Sequence, residues 1–431
     1  MANIFYSQNT PHGRVKRFMY MQHLTEFIER TQVHNQLVNQ QVQRHQSVIY
    51  DAFAGSGRYG EEWPDRIEEF GSPLIAVRLV IFHFVRLHSL DYRYLRNRQV
   101  MHRQCGERVM KIRNPVTLPT PLEKDIILNF SEANRAYYNS LVDNLIYILE
   151  KHGIDHTLEY IFDGIIRISC TDENLSFCIN VIFSEFQNIE APAASVRNIF
   201  LFTFIDPCGY NSIPMSYVNR FFGKQREVLI NFMSSYVNRF KGTQAFRRAM
   251  INLFGFGMEE EGIYEQLRFG NFNNCVQMYK DQIAERAETN LITSFQVNNI
   301  QNSPIYHLIF ITQDKNLYRN MKEVMWRGTL RGNELMFSDY RFTRLDFSNK
   351  QDSHYVVNRI CQNFQGRRRI TVEIIQEFLL VETIFVWKND MLNILLQHPQ
   401  VLTVQHNGQL RFRFVSEDVN EFLEGLHLLH L

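Results

Sequence analysis

Six cysteines are spread over 431 residues (Cys105, Cys170, Cys178, Cys208, Cys275 and Cys361), and no two form a Cys-x-x-Cys pair. That spacing excludes a zinc ribbon or finger and gives no disulfide framework, so the thiols are expected free, in a reducing compartment. The histidines give no metal signature either: His83 with His88, and His427 with His430, have no Cys or acidic partner at ligand spacing. An excess of one charge is missing as well. Lys plus Arg number 46 and Asp plus Glu 45, for a net charge of +1. No long-range field draws a polyanion to such a chain, so a nucleic-acid partner would have to be met by local basic clusters. Long apolar runs are absent: the most apolar stretch, Leu74 to Leu87, is too short for a bilayer and carries Arg78, His83 and Arg86. Met1 to Thr10 lacks the basic-then-apolar layout of a secretion signal. These features predict an intracellular chain, cytoplasmic or nuclear, with no membrane segment.

Aromatic residues are plentiful, with 35 Phe and 19 Tyr, and hydrophobic residues make up 45%. Such a chain can fill substantial cores, and its length predicts two or three domains. Residues 14–30 read as an amphipathic helix with Val15, Phe18, Met19, Leu24 and Phe27 on one face. Short apolar runs at 47–50, 125–130, 165–169, 199–205, 227–232 and 306–311 read as buried strands, with helices between most of them. One helix starts at Ser72-Pro73, a cap followed by a proline at the first helical position. Another runs from Ser131-Glu132 to about Lys151, and a further helix is expected after 165–169. Continuous apolar strands alternating with helices are the signature of a parallel sheet covered on both faces. An α/β domain is therefore predicted over 12–330, with an insertion at about 93–123 and a helical addition at about 241–300. From 365 to 431 the pattern changes to helix, helix, and a hairpin around Asn407-Gly408, the order of a small winged-helix-like module.

The chemistry concentrates at strand ends. The first strand runs into Asp51-Ala52-Phe53-Ala54-Gly55-Ser56-Gly57. Glycines there allow positive φ and close approach of backbone to a ligand, and in doubly wound sheets this turn is where a nucleotide-like group sits. The same Gly-x-Gly also serves as a plain tight turn. Glu132 follows the second strand, where a carboxylate can take both ribose hydroxyls, although an acid near a helix start is also favoured electrostatically. The fourth run delivers Asp206-Pro207-Cys208-Gly209-Tyr210 to the same edge.

Asp51 to Tyr59, Gly71-Ser72-Pro73-Leu74-Ile75-Ala76, and Phe204-Ile205-Asp206-Pro207-x-Gly209-Tyr210 resemble the three-Cys-motif partner (TcmP) proteins, a methyltransferase-like group. His12-x-x-Val15-Lys16, Val228 to Phe232 with Asn238-Arg239-Phe240, and Met321 to Trp326 extend the likeness over most of 10–330. The resemblance implies a Rossmann-like class I methyltransferase sheet and an S-adenosylmethionine site. Asp51, Phe53, Gly55 and Gly57 would surround the methionine end and Glu132 the ribose, with Asp206, Pro207 and Tyr210 at the reaction centre. Cys208 stands where that family usually has Phe. The Asp-Pro-x-Gly-Tyr run partly echoes the Asp-Pro-Pro-Tyr loop of enzymes that methylate exocyclic amines of bases. The expected activity is S-adenosylmethionine-dependent methylation of nucleic acid, RNA favoured, against the alternative of a non-catalytic scaffold that binds a protein partner. Two arginine groups would serve a phosphate backbone: Arg96, Arg98 and Arg103 in the insertion, and Arg411 and Arg413 on the hairpin, with Arg367 to Arg369 just before the tail module. The insertion would alternatively present a solvated loop or a protein-docking surface.

Overall fold

The computed structural model describes residues 10–37, 46–59, 70–88, 126–162, 164–172, 175–189, 199–207, 213–256, 261–329, 335–338, 351–406 and 409–415. It divides into two compact units, Met1–Leu330 with Met336–Ser348, and Arg331–Leu335 with Asn349–Leu431.

The first unit is built on a ten-stranded mixed sheet. Its strands are β1 (Gln46–Asp51), β2 (Ile126–Glu132), β3 (His156–Phe162), β4 (Ile165–Asp172), β5 (Leu175–Phe183), β6 (Ile199–Ile205), β7 (Arg226–Phe232), β8 (Ile292–Asn298), β9 (Pro304–Thr312) and β10 (Met336–Ser338). They lie in the order β10-β8-β9-β7-β6-β1-β2-β5-β4-β3. β5, β2, β1, β6 and β7 are mutually parallel, whereas β9 runs antiparallel to both β7 and β8. Every residue of β7 is buried, as are Val48 to Asp51 of β1, which is why these strands read as unbroken apolar runs.

One face of the sheet is covered by α1 (Pro11–Leu37), α2 (Ser72–His88), α3 (Arg135–Lys151) and a late helix, here α9 (Lys315–Gly328). Val15, Phe18, Met19, Leu24 and Phe27 of α1 are all buried, and so are Tyr20, Gln22 and His23, so this helix is enclosed on more than one side. The opposite face carries α4 (Met215–Val218), α5 (Ser234–Phe240), α6 (Arg247–Phe254), α7 (Glu261–Phe269) and α8 (Phe272–Ala287). These pack a second core in which Tyr279 stacks on Phe232 at 4.3 Å between ring centroids. No helix among the described residues is long and apolar enough to cross a membrane.

Two sequence expectations change. The run 165–169 leads into no described helix; it is β4, an antiparallel neighbour of β5 and β3. The strand that extends the parallel core is β5, whose polar Ser176, Cys178 and Asn180 alternate with buried Phe177, Ile179 and Val181 and so broke the apolar pattern. The segment 241–300 is helical only to Ala287; Ile292–Asn298 is β8, disguised by Thr293, Ser294 and Gln296.

In the second unit α10 (Ser353–Phe364), α11 (Val372–Glu382) and α12 (Asp390–Gln397) precede a hairpin of β11 (Val401–His406) and β12 (Gln409–Phe414). Asp352 caps α10 by accepting the N–H of His354 at 3.0 Å, and Thr371 caps α11 at the N–H of Ile374. Phe412 and Phe414 are buried, with the Phe364 ring stacked on Phe414. Ile370 forms an isolated antiparallel bridge with Phe412, tying the segment before α11 to the hairpin.

Candidate functional site

The chain's sequence order moves outward from β1 to β2 and β5 on one side, then returns to β6 on the other. Between β1 and β6 the connections diverge, and in open α/β sheets a crevice opens at the carboxyl ends of strands at such a point. Asp51 ends β1, Glu132 ends β2 and Asp206 follows β6, so the structure brings the three acids to one edge.

Asp51 is completely buried. Its Oδ1 accepts the N–H of Phe53 at 3.2 Å, and its Oδ2 has no hydrogen-bond partner among the described residues. Burial, with the Asp206 carboxylate adding repulsion, pushes its pKa up to about 7 against the hydrogen bonds of Ser72 and Phe53. A buried carboxylate with one oxygen unpaired is costly unless a ligand or ion satisfies it. Tyr20 of α1 packs its ring at a tilt against Phe204, 4.8 Å between centroids, and its hydroxyl is likewise buried and unpartnered among the described residues. Burial and the nearby Asp51 raise the Tyr20 pKa, keeping the phenol protonated.

The turn after β1 is held from three directions. Ala54 donates to the Ser131 carbonyl at 2.9 Å. Asn144 of α3 donates to the Ser56 carbonyl at 2.8 Å, and Gly71 donates to the Gly57 carbonyl at 2.8 Å. Gly55 and Gly57 both adopt left-handed φ, +61° and +77°. Their surroundings differ. A Cβ at Gly57 would lie 2.8 Å from Leu141 Cδ1, whereas at Gly55 it would meet nothing within 4 Å among the described atoms. Gly57 is thus needed for packing, and Gly55 has open space beside it among the described residues. Gly57→Ala is expected to cost about 2–3 kcal/mol in urea denaturation, and Gly55→Ala about 1 kcal/mol for the backbone alone. Equal losses at the two positions would contradict this division.

Glu132 binds the turn directly: Oε2 accepts the N–H of Gly55 at 2.9 Å and Oε1 that of Asn134 at 2.7 Å. Partial burial raises its pKa, with these backbone donors opposing the shift. With the Ala133 N–H as a third backbone donor, one acceptor site of the carboxylate remains for a ligand hydroxyl. Phe53 points elsewhere, its ring packing on Phe186 at 5.3 Å.

Asp206 is held by two side chains absent from the sequence expectations for the site. Lys16 Nζ of α1 donates to Oδ2 at 2.6 Å, and Asn231 Nδ2 at the end of β7 donates to Oδ1 at 2.6 Å. Burial works against the Lys16 charge, yet Asp206, with Tyr59 and Tyr306 beside it, holds the lysine pKa above its ordinary value. Asn231 is buried, and its Oδ1 has no partner among the described residues. Pro207 is buried. Tyr210 and Cys208 lie outside the described residues, as do Arg96, Arg98 and Arg103.

The remaining predicted residues, Arg411 and Arg413, lie on β12 in the second unit, on the hairpin face opposite Phe412 and Phe414. That unit also contains Cys361, His398 and Asn358 in nucleophile-triad order: Sγ faces Nδ1 at 3.5 Å, and Nε2 faces Asn358 Oδ1 at 3.1 Å. Burial pushes the Cys361 thiol up to about 12 and lowers the His398 pKa, so a thiolate–imidazolium pair is disfavoured twice over. Gln400 N–H also donates to Nδ1 at 3.3 Å. The three residues link α10 to the start of the hairpin; they are structural. Among the described residues no group of three or more His, Cys, Asp or Glu is arranged to hold a metal. An open hollow lined by Lys224, Glu288, Asn290 and Gln313 sits at the opposite edge, by the amino ends of β7 and β8. It is remote from all three acids.

No family model and no curated protein matches the chain. Among solved structures, the crystal structure of protein LPL1258 from Legionella pneumophila str. Philadelphia 1, of family model DUF519, is 12% identical. The match covers 68% of this chain and 84% of that one at a TM-score of 0.28. That likeness is too slight to carry fold or function across.

Proposed function

We propose that the chain is an S-adenosylmethionine-dependent methyltransferase acting on nucleic acid, with RNA favoured. The observation that carries the reading is the unpaired Oδ2 of Asp51, buried beside an open glycine turn at the switch point of the sheet. The strand order supports it: within the ten-stranded sheet, five parallel strands followed by an antiparallel β9 inserted before β8 are compatible with a class I methyltransferase sheet. Asp51 Oδ2 suits the α-ammonium of a methionine moiety, Glu132 a ribose diol, and the face of Gly55 the close passage of the ligand. Bound S-adenosylmethionine supplies an electrophilic methyl group. Asp206, fixed by Lys16 and Asn231, would orient the accepting group near it, with Pro207 next to it in the chain. In the second unit a helix, the Ile370 bridge, two further helices and the hairpin follow one another in the order of a winged helix, which supports reading it as a nucleic-acid module.

One observation favours the second reading, a cofactor-free or non-catalytic scaffold for a protein partner. Both oxygens of Asp206 are already engaged, so a substrate amine would have to share an occupied acceptor. Incubation with S-adenosylmethionine labelled in the methyl group and with RNA, DNA or protein fractions separates the two. The methyltransferase reading expects label in nucleic acid, lost in Asp206→Ala; no transfer to any fraction would favour the scaffold.

A further inference from the structure

We propose that the second unit carries a docking surface for the phosphodiester backbone of nucleic acid, built from Arg367, Arg368, Arg369, Arg411 and Arg413. The inference deepens the methyltransferase reading by giving its substrate class a place to bind, and rests on that reading only for the identity of the reaction.

Two arginine groups far apart in sequence are joined by backbone pairing. Ile370 and Phe412 exchange hydrogen bonds, N–H to O at 3.0 and 2.7 Å. Phe414 donates to the Arg367 carbonyl at 3.0 Å, and Gly366 to the Phe414 carbonyl at 3.0 Å. The strand carrying Arg411 and Arg413 therefore runs directly beside the Arg367–Arg369 loop. Phe412 and Phe414 point into the core, so Arg411 and Arg413 fall together on the other face, at the i, i+2 spacing of about 7 Å along a strand. That is on the scale of successive phosphates in a nucleic-acid strand. Arg367, Arg368 and Arg369 are exposed.

None of the five forms an ion pair with an acid among the described residues; Arg367 only overlies the Phe364 ring, at 5.5 Å. Five like charges held together with no ion-paired acid among the described residues repel one another, and a polyanion would relieve that repulsion. Two details sharpen the assignment. Arg369 sits at φ +62°, in the left-handed region that favours glycine, so the backbone there is strained. The Nε of Arg411 is out of solvent with no acceptor among the described residues. All five are arginine rather than lysine, and the planar fork of donors matches phosphate oxygens two at a time. α12, packed on β11 in the same unit, exposes Asn393 and Gln397, and Asn389 just before it is exposed too. Such amides hydrogen-bond phosphates and base edges, which favours nucleic acid over a lipid surface.

The test uses the full chain with fluorescent duplex RNA and duplex DNA of one sequence, titrated over a range of salt. The variants are Arg368→Glu with Arg413→Glu, the milder Arg367→Gln with Arg368→Gln, and Arg359→Glu as an exposed control on α10. The first pair is expected to weaken binding at least about tenfold and to flatten the log–log salt slope by about 2, with a smaller fall for the second pair and little change for the control. Thermal unfolding of each variant monitors the fold, and the glutamine pair, confined to an exposed loop, keeps the test valid if the glutamate pair misfolds. Unchanged affinity and slope in correctly folded variants would overturn the proposal. So would wild-type binding to phosphatidylserine vesicles without binding to either duplex, or no binding to any of them. S-adenosylmethionine affinity is measured on the same samples. If it is absent while the arginine variants still lose duplex binding, the methyltransferase reading fails and the docking surface stands.

Discussion

Asp51→Asn is expected to make the protein more stable at about pH 8 while weakening its hold on S-adenosylmethionine at least about tenfold. The carboxyl group is fully buried, and that desolvation lifts its pKa from 3.8 to about 7. A carboxyl held at about 7 rather than 3.8 means that the folded state disfavours the charged form by about 4 kcal/mol. Asparagine keeps the acceptor for the Phe53 N–H but adds an unpaired amide, a cost of about 1–2 kcal/mol, leaving a net gain of about 2–3 kcal/mol. Because the folded pKa is raised, the wild-type contribution is full below about pH 4, declines as pH rises toward about 7, and levels off above it. Urea denaturation at about pH 5 and about pH 8 should show that decline in the wild type and not in the variant. A variant that is less stable than wild type at the higher pH would contradict the account. A residue that weakens the fold by its charge fits a group retained for a cationic ligand.

Glu227→Ala should act in the opposite sense, at the other end of β7. Glu227 is buried to 1% exposure, and α1 grips it with Arg30 and with His23, whose Nε2 lies 2.8 Å from Oε2 as an ion-pair contact. Burial alone would raise its pKa; the Arg30 charge, with His23 beside it, outweighs this and holds it below the ordinary glutamate value. Removing one member of such a set strands the others and is expected to cost about 3–5 kcal/mol. The sign of the pH dependence follows from the lowered pKa: the contribution is present above the ordinary glutamate pKa and is lost as pH falls through the folded one. Acid unfolding of the wild type should therefore be steeper than that of the variant. A loss below about 1 kcal/mol would mean that α1 is held by its apolar face alone.

The apolar runs at 47–50, 125–130, 199–205 and 227–232 were legible as strands because β1, β2, β6 and β7 are enclosed between helical layers. The run at 306–311 was equally legible as a strand, but its reversed direction was not, since burial on both faces looks the same in either sense. β5 and β8 escaped because half their side chains are polar, and β4 betrayed its antiparallel pairing in no single residue. At the site, Asp51, Gly55, Gly57 and Glu132 could be read together because each sits at the end of an apolar run. Lys16 could not: its partner Asp206 is 190 positions away and nothing local marks the pairing. Asn231 looked like one polar residue at a strand end, and Tyr20 like part of a helix core. Only the structure shows that Asp51, Tyr20 and Asn231 each carry a buried polar atom with no partner among the described residues. The basic character of the hairpin was visible in Arg411 and Arg413, whereas its union with Arg367–Arg369 depends on the Ile370 bridge.

The most direct test is isothermal titration of the full chain with S-adenosylmethionine and with its demethylated product. The account predicts one binding site per chain for each, weakened in Asp51→Asn and lost in Gly55→Val although that variant remains folded. Absence of binding heat with both ligands, together with no displacement of either by the other in a labelled competition, would contradict it.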